Sequence, residues 1–166
     1  MLDSKMEIAL NQQVNAELWS AYLYLSISYD MDHKGYEGMA SWFALQAKEE
    51  FAHAARIGKF IGEREGKVTL MPIEAVQQVW DTPIDAFEET LKHEKVVTGK
   101  IHKLMDMAVE SKDYATQSML KWFVDEQVEE EETARKIVET LKKIEGSPAG
   151  LYALDKQLGK RANDDD

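Results

Sequence analysis

Six polar side chains fall on otherwise apolar helical stripes: Glu17, Glu50, His53, Glu94, Gln127 and Glu130. Glu17 shares its face with Val14, Ala21 and Tyr24, while Glu50 and His53 lie among Phe43, Ala47, Ala54, Ile57 and Ile61. Glu94 accompanies Phe87, Leu91, Ile101 and Met105; Gln127 and Glu130 accompany Leu120, Phe123, Val124, Ala134, Ile137 and Leu141. These are i, i+3, i+4, i+7 relationships, so the polar groups are aimed at a core. Carboxylates meeting in an apolar interior repel one another and lose hydration, at several kcal/mol per ion unless something compensates. A pair of multivalent cations supplies that compensation. Oxygen donors with one or two nitrogens suit Fe, Mn or Zn, and the lack of soft sulfur argues against copper(I).

The spacing repeats. Glu17 precedes Glu50 by 33 residues and His53 by 36, and Glu94 precedes Gln127 by 33 and Glu130 by 36. Two halves related by a pseudo-twofold axis would present such matching ligand sets. Taken singly, each position has an ordinary reading. A mid-helix Glu is usually a surface residue, the acidic run 125–132 is by default a solvated face, and Tyr24, Trp42 and Trp122 read as core. The coincidence of face and spacing across all six favours metal.

The elements that must position these residues are helices. The periodicity predicts helices over 4–33, 39–65, 83 to about 111, and from an N-cap at Asp113 to Gly146, with a short fifth helix over about 148–158. The glycines of His33-Lys-Gly-Tyr-Glu-Gly38 read as a turn, Thr82-Pro83 and Ser147-Pro148 as helix starts, and about 160–166 as a disordered tail. Short loops join the first to the second helix and the third to the fourth, so each pair is an antiparallel hairpin. The loop over 67–82 can run about 50 Å at ~3.3 Å per residue, the full length of a helix of some 30 residues. The fold expected is all-α, a single domain built as a four-helix bundle (about 4–146) with one long crossover and a fifth C-terminal helix. At about 1.5 Å rise per residue, all six polar residues then meet in a slab roughly 10 Å thick at mid-bundle.

Composition narrows the function. Zero cysteines exclude disulfides, thiolate zinc sites, cysteine-ligated iron–sulfur clusters and a cysteine nucleophile, and 31 acidic against 20 basic residues leave a net charge of −11. That charge disfavours nucleic acid and suits a cationic partner. The start of the chain is mixed in charge, unlike a secretory signal, and no apolar run approaches the ~18 residues of a membrane span; a cytoplasmic location is expected.

The residues Glu17, Glu49-Glu50-Phe-Ala-His53, Glu94 and Glu126-Gln127-Val-Glu129-Glu130 resemble, in combination and over essentially the whole chain, the ligand pattern of non-haem prokaryotic ferritins. The resemblance implies a ferritin-like bundle that oxidises Fe(II) with O₂ or H₂O₂ and stores ferric oxyhydroxide inside a hollow 24-subunit homo-oligomer. It implies one iron held by Glu17, Glu50 and His53, and a second by Glu50, Glu94 and Glu130 with Gln127 nearby. It further implies a third site at Glu49, Glu126, Glu129 and Glu130, and a tyrosine, Tyr24, beside the pair. Bacterioferritins carry a haem-ligating Met where this chain has Phe51, and a second Glu-x-x-His where it has Gln127-x-x-Glu130, so no haem is expected. Rubrerythrins need cysteines, and animal ferritins lack the carboxylate at Glu130. Two rivals stay open: a di-iron oxidase or peroxidase that stores no iron, and a structural bundle with solvated acids.

Overall fold

The computed structural model describes residues 2–161. It holds five helices and, among the described residues, no strand: α1 Ser4–His33, α2 Glu37–Glu63, α3 Pro83–Glu110, α4 Tyr114–Lys143 and α5 Pro148–Leu158. Helix starts are set by local chemistry. The Asp3 carboxylate accepts from the Lys5 and Met6 amides, Thr82 and Asp85 form a reciprocal capping box ahead of Pro83, and Asp113 and Ser147 cap α4 and α5. α1 packs mainly on α2, α3 on α4, and α5 on α2. This is the four-helix bundle plus short fifth helix that the periodicity predicts.

The crossover, residues 64–82, is pinned near both ends. Asn11 donates to the Lys67 carbonyl at 3.0 Å and accepts from the Thr69 amide at 2.7 Å. Buried Asp30 accepts from the Trp80 amide at 3.1 Å, and the Trp80 ring is buried in the core. No helix among the described residues is long and apolar enough to cross a membrane.

Three details differ from expectation. Ala21, expected on the inward face with Glu17, instead lines an open apolar groove with Leu18, Tyr22, Leu25, Phe51 and Ile73, while Leu23, Tyr24, Ile27 and Met31 turn inward. An α-helix advances 100° per residue, so two apolar stripes can sit side by side, and the second is only partly covered, with Leu18 still packed against the core. Gly35 is a turn glycine, with φ +83°, but Gly38 lies inside α2, where a Cβ would stand 1.7 Å from the Asp155 carbonyl oxygen. Close approach of α5, not turn geometry, requires it. Within the tail expected from about 160, the Arg161 guanidinium is hydrogen-bonded to Gln46 and Glu49; the rest of that tail, 162–166, lies outside the described residues.

The core is divided in two. One apolar cluster gathers Tyr24, Ile27, Trp42, Phe43, Phe87 and Leu141; the other gathers Leu10, Val14, Ile57, Ile101, Leu120 and Phe123. In sequence, Glu17, Glu50, Glu94 and Glu130 fall between these clusters on their respective helices, so a polar layer separates two greasy halves.

Candidate metal centre

Glu17, Glu50, His53, Glu94, Gln127 and Glu130 are all buried, as the stripes require. Glu17, Glu50 and His53 offer one ligand atom each within 4.8 Å of one another. His53 Nδ1 lies 3.6 Å from Glu50 Oε2. Glu94, Gln127 and Glu130 are not part of that tight triad, but Glu94 and Glu130 lie close enough for their charges to act on Glu50, and each is held by hydrogen bonds of its own. Gln127 Nε2 donates to Glu94 Oε2 at 3.1 Å and to the Glu94 carbonyl at 3.2 Å, and the Tyr24 hydroxyl donates to Glu94 Oε1. Gln46 Nε2 donates to Glu130 Oε2, and Gln13 Nε2 to Glu17 Oε1, each at 2.8 Å. Glu17 Oε2 and Glu50 Oε2 are buried and accept from no nitrogen or hydroxyl donor among the described residues; the two carboxyl groups hydrogen-bond each other only by sharing a proton. Buried acceptors without a donor are rare and costly, and a cation is the partner that would satisfy two of them at once.

The electrostatics agree. Burial raises the pKa of Glu17, and raises that of Glu50 well above the usual carboxylate range, with the charges of Glu94 and Glu17 adding to the effect at Glu50. Glu94 is pushed up to about 7, first by burial, against the lowering hydrogen bonds of Tyr24 and Gln127. Glu130 is pushed up to about 8 by burial and by Glu94. Burial holds His53 down at about 4, with the Arg56 charge assisting, so its imidazole is neutral and its nitrogens are free to coordinate. The ring sits edge-on between Trp122 and Phe123, centroids 5.3 and 5.8 Å away, and Arg56 stacks 4.1 Å from the Trp122 ring centre. Tyr24 has its phenol pKa raised well above 10 by burial and then by Glu94, so it stays a protonated donor. This layer stores protons, and a metal ion entering it must displace them.

Glu49, Glu126 and Glu129 stand apart from the triad. With Glu130 they line a half-open cavity of about 420 Å³, rimmed by Lys160 and Arg161. Glu130 thus faces both the buried layer and the open pocket. Sequence reasoning missed the supporting amides. Gln13 and Gln46 each lie four residues before a candidate ligand, Glu17 and Glu50, one helical turn away on the same face, and that spacing was the available signal. Arg161 had none, since its contacts are more than 110 residues distant.

A family model described as the ferritin-like domain matches residues 7–144. A bacterial non-heme ferritin of Bacteroides fragilis is 40% identical over 161 residues, covering 97% of this chain and all of the relative. One of Staphylococcus aureus is 35% identical over 166 residues, all of both chains. Among solved structures, an open pore ferritin from the hyperthermophilic archaeon Archaeoglobus fulgidus superposes with a TM-score of 0.97 at 44% identity, covering 98% of this chain and 100% of that one. A five-helix bundle with a buried carboxylate–histidine layer, matched end to end by these relatives, belongs to the ferritin family.

Proposed function

We propose that the chain stores and detoxifies iron, oxidising Fe(II) at the buried layer and holding the product as ferric oxyhydroxide inside a 24-subunit shell. Iron is the substrate and cargo. One ion is held by Glu17, Glu50 and His53; a second by Glu50, Glu94 and Glu130, with Gln127 and Tyr24 fixing Glu94. The observation that carries this reading is the buried triad of Glu17, Glu50 and His53, in which Glu17 Oε2 and Glu50 Oε2 accept from no nitrogen or hydroxyl donor among the described residues. The non-heme ferritin relatives support it.

The chemistry follows from the donors. Two Fe(II) each yield one electron to O₂, which takes up two protons to give H₂O₂ and two Fe(III). Hard carboxylate oxygens favour the ferric product, and a neutral imidazole adds no further negative charge. The reduction consumes two protons, and the incoming metal displaces protons from carboxyl groups of this same layer, Glu50, Glu94 and Glu130 among them. Glu49, Glu126 and Glu129 then form a third, more hydrated site on the way out. Assembly is supported by the groove of about 500 Å³ lined by Leu18, Tyr22, Leu25, Phe51 and Ile73, an apolar surface suited to burial against a second copy. Phe51, at 63% exposure, stands there in place of a haem-ligating Met.

Particle mass and iron content after aerobic Fe(II) loading test the reading. A shell near 24 chains holding many irons per chain is expected. A small oligomer with about two irons per chain would establish the non-storing oxidase instead.

A further inference from the structure

The end of the described chain returns to the acidic pocket and places a cation there. α5 is fixed against the first turn of α2. The Met39 amide donates to Asp155 Oδ1 at 2.9 Å, and Gly38 admits the Asp155 carbonyl at a distance no side chain would allow, with the Gly159 amide close beside it. From that anchor Arg161 lies along Trp42, Gln46 and Glu49, which are i, i+4 and i+7 on one face of α2. Its guanidinium carbon sits 4.9 Å from the Trp42 ring centre, Nη1 donates to Gln46 Oε1 at 2.8 Å, and Nη2 pairs with Glu49. Gln46 in turn donates to Glu130, so the guanidinium is one amide away from the buried layer.

We propose that Arg161 is a resident counter-ion and gate of the Glu49–Glu126–Glu129–Glu130 pocket: it occupies Glu49 when no metal is there, and an incoming cation must displace it. The proposal rests on reading that pocket as the third metal site. A lone surface ion pair would contribute little. This one is different in kind, because a planar fork makes two bonds at once while stacked on an indole, with both charged side chains about three-quarters shielded. A Glu49 oxygen engaged by a guanidinium is a poorer metal ligand, so Arg161 lowers the pocket's affinity and leaves the deeper triad untouched. Coupling is reciprocal: what Arg161 takes from metal affinity, metal takes from the docking of Arg161. Exchange between pocket and cavity thereby stays fast, and an ion is not trapped beside Glu130.

Zinc, which is redox-inert, makes the test independent of oxidation. Crystals of the parent, R161Q, K160Q and E129A are soaked in graded Zn(II), and anomalous occupancy is compared between the pocket and the Glu17/Glu50/His53 triad. In R161Q the pocket should half-fill at a Zn(II) concentration lower by at least about five-fold, with the triad unchanged. At full pocket occupancy in the parent, the Arg161 side chain should have left Glu49. K160Q removes the same charge from the same rim and should shift the pocket much less. Equal pocket curves in the parent and R161Q would overturn the gate while leaving the third site standing. So would a K160Q shift as large as that of R161Q, or Arg161 still paired to Glu49 beside bound zinc. No zinc in any pocket at saturation, with the triad filled, would remove the third site and the gate with it.

Discussion

Gln46 and Glu130 join α2 to α4 by a buried hydrogen bond of 2.8 Å, and that bond is where the buried carboxylate layer meets the open pocket. Glu130 has a pKa of about 8 despite it, because burial and the Glu94 charge outweigh what Gln46 and Arg161 contribute. The amide engages one Glu130 oxygen, and the other is the one proposed to hold metal. Outer partners of this type govern affinity by about 10–100-fold. Gln46→Ala should weaken binding of the second ion by that amount and spare the first. Anaerobic Fe(II) titration with calorimetric detection checks it, and equal loss at both sites would contradict the assignment.

Glu50→Ala and Glu130→Ala each remove a proposed ligand outright. Fast Fe(II) oxidation should fall by more than the roughly 100-fold expected of an outer partner, with helicity intact. Metal-free stability should hold or rise at alkaline pH, where the carboxyl groups of this layer ionise and repel one another. Stopped-flow absorbance and circular dichroism report the two halves; wild-type oxidation rates in either variant would refute the site.

The pH dependence of the metal-free protein follows from opposing shifts. Glu94 and Glu130 titrate at about 7 and 8 against an ordinary 4.5, so the folded chain holds more protons than the unfolded one between those limits. Their contribution to stability is therefore lost as pH rises through 7 and 8. His53 and His93 titrate at about 4 against 6.5, both chiefly through burial, so below 6.5 the unfolded chain holds more protons and stability rises with pH. The two effects oppose each other from pH 4.5 to 6.5. Only the carboxylates act above that. The thermal midpoint in EDTA should fall between pH 6.5 and 8, and Glu130→Gln should flatten the fall. A midpoint that climbs over that interval would show the layer carries no stored protons.

Gly38→Ala should cost about 1–3 kcal/mol by forcing α5 off α2, since the new methyl overlaps the Asp155 carbonyl. Arg161 would lose its position with it. Thermal unfolding measures the cost, and an unchanged midpoint would mean α5 can shift freely.

Much of this architecture is written locally. Asp3, Thr82-Pro83, Asp113 and Ser147-Pro148 announce helix starts because a cap needs only its own next three residues. Glu17, Glu50, Glu94 and Glu130 betray their burial by interrupting apolar stripes. Where two stripes run side by side, as with Leu18 and Leu25 against Leu23 and Ile27, periodicity alone does not say which one a partner helix covers. Gly38 reads as a turn because its reason, the Asp155 carbonyl, lies over a hundred residues away. Arg161 is silent for the same cause. The direction of an amide such as Gln46, toward Glu130 and not its own neighbour Glu50, belongs to tertiary structure entirely.

Anomalous diffraction at the iron edge, from wild-type crystals soaked anaerobically in saturating Fe(II), tests the central claim most directly. The account predicts two iron peaks in the buried layer, one bounded by Glu17, Glu50 and His53, the other by Glu50, Glu94 and Glu130. Iron confined to surface carboxylates, with Glu17 Oε2 and Glu50 Oε2 still without a metal partner, would contradict it.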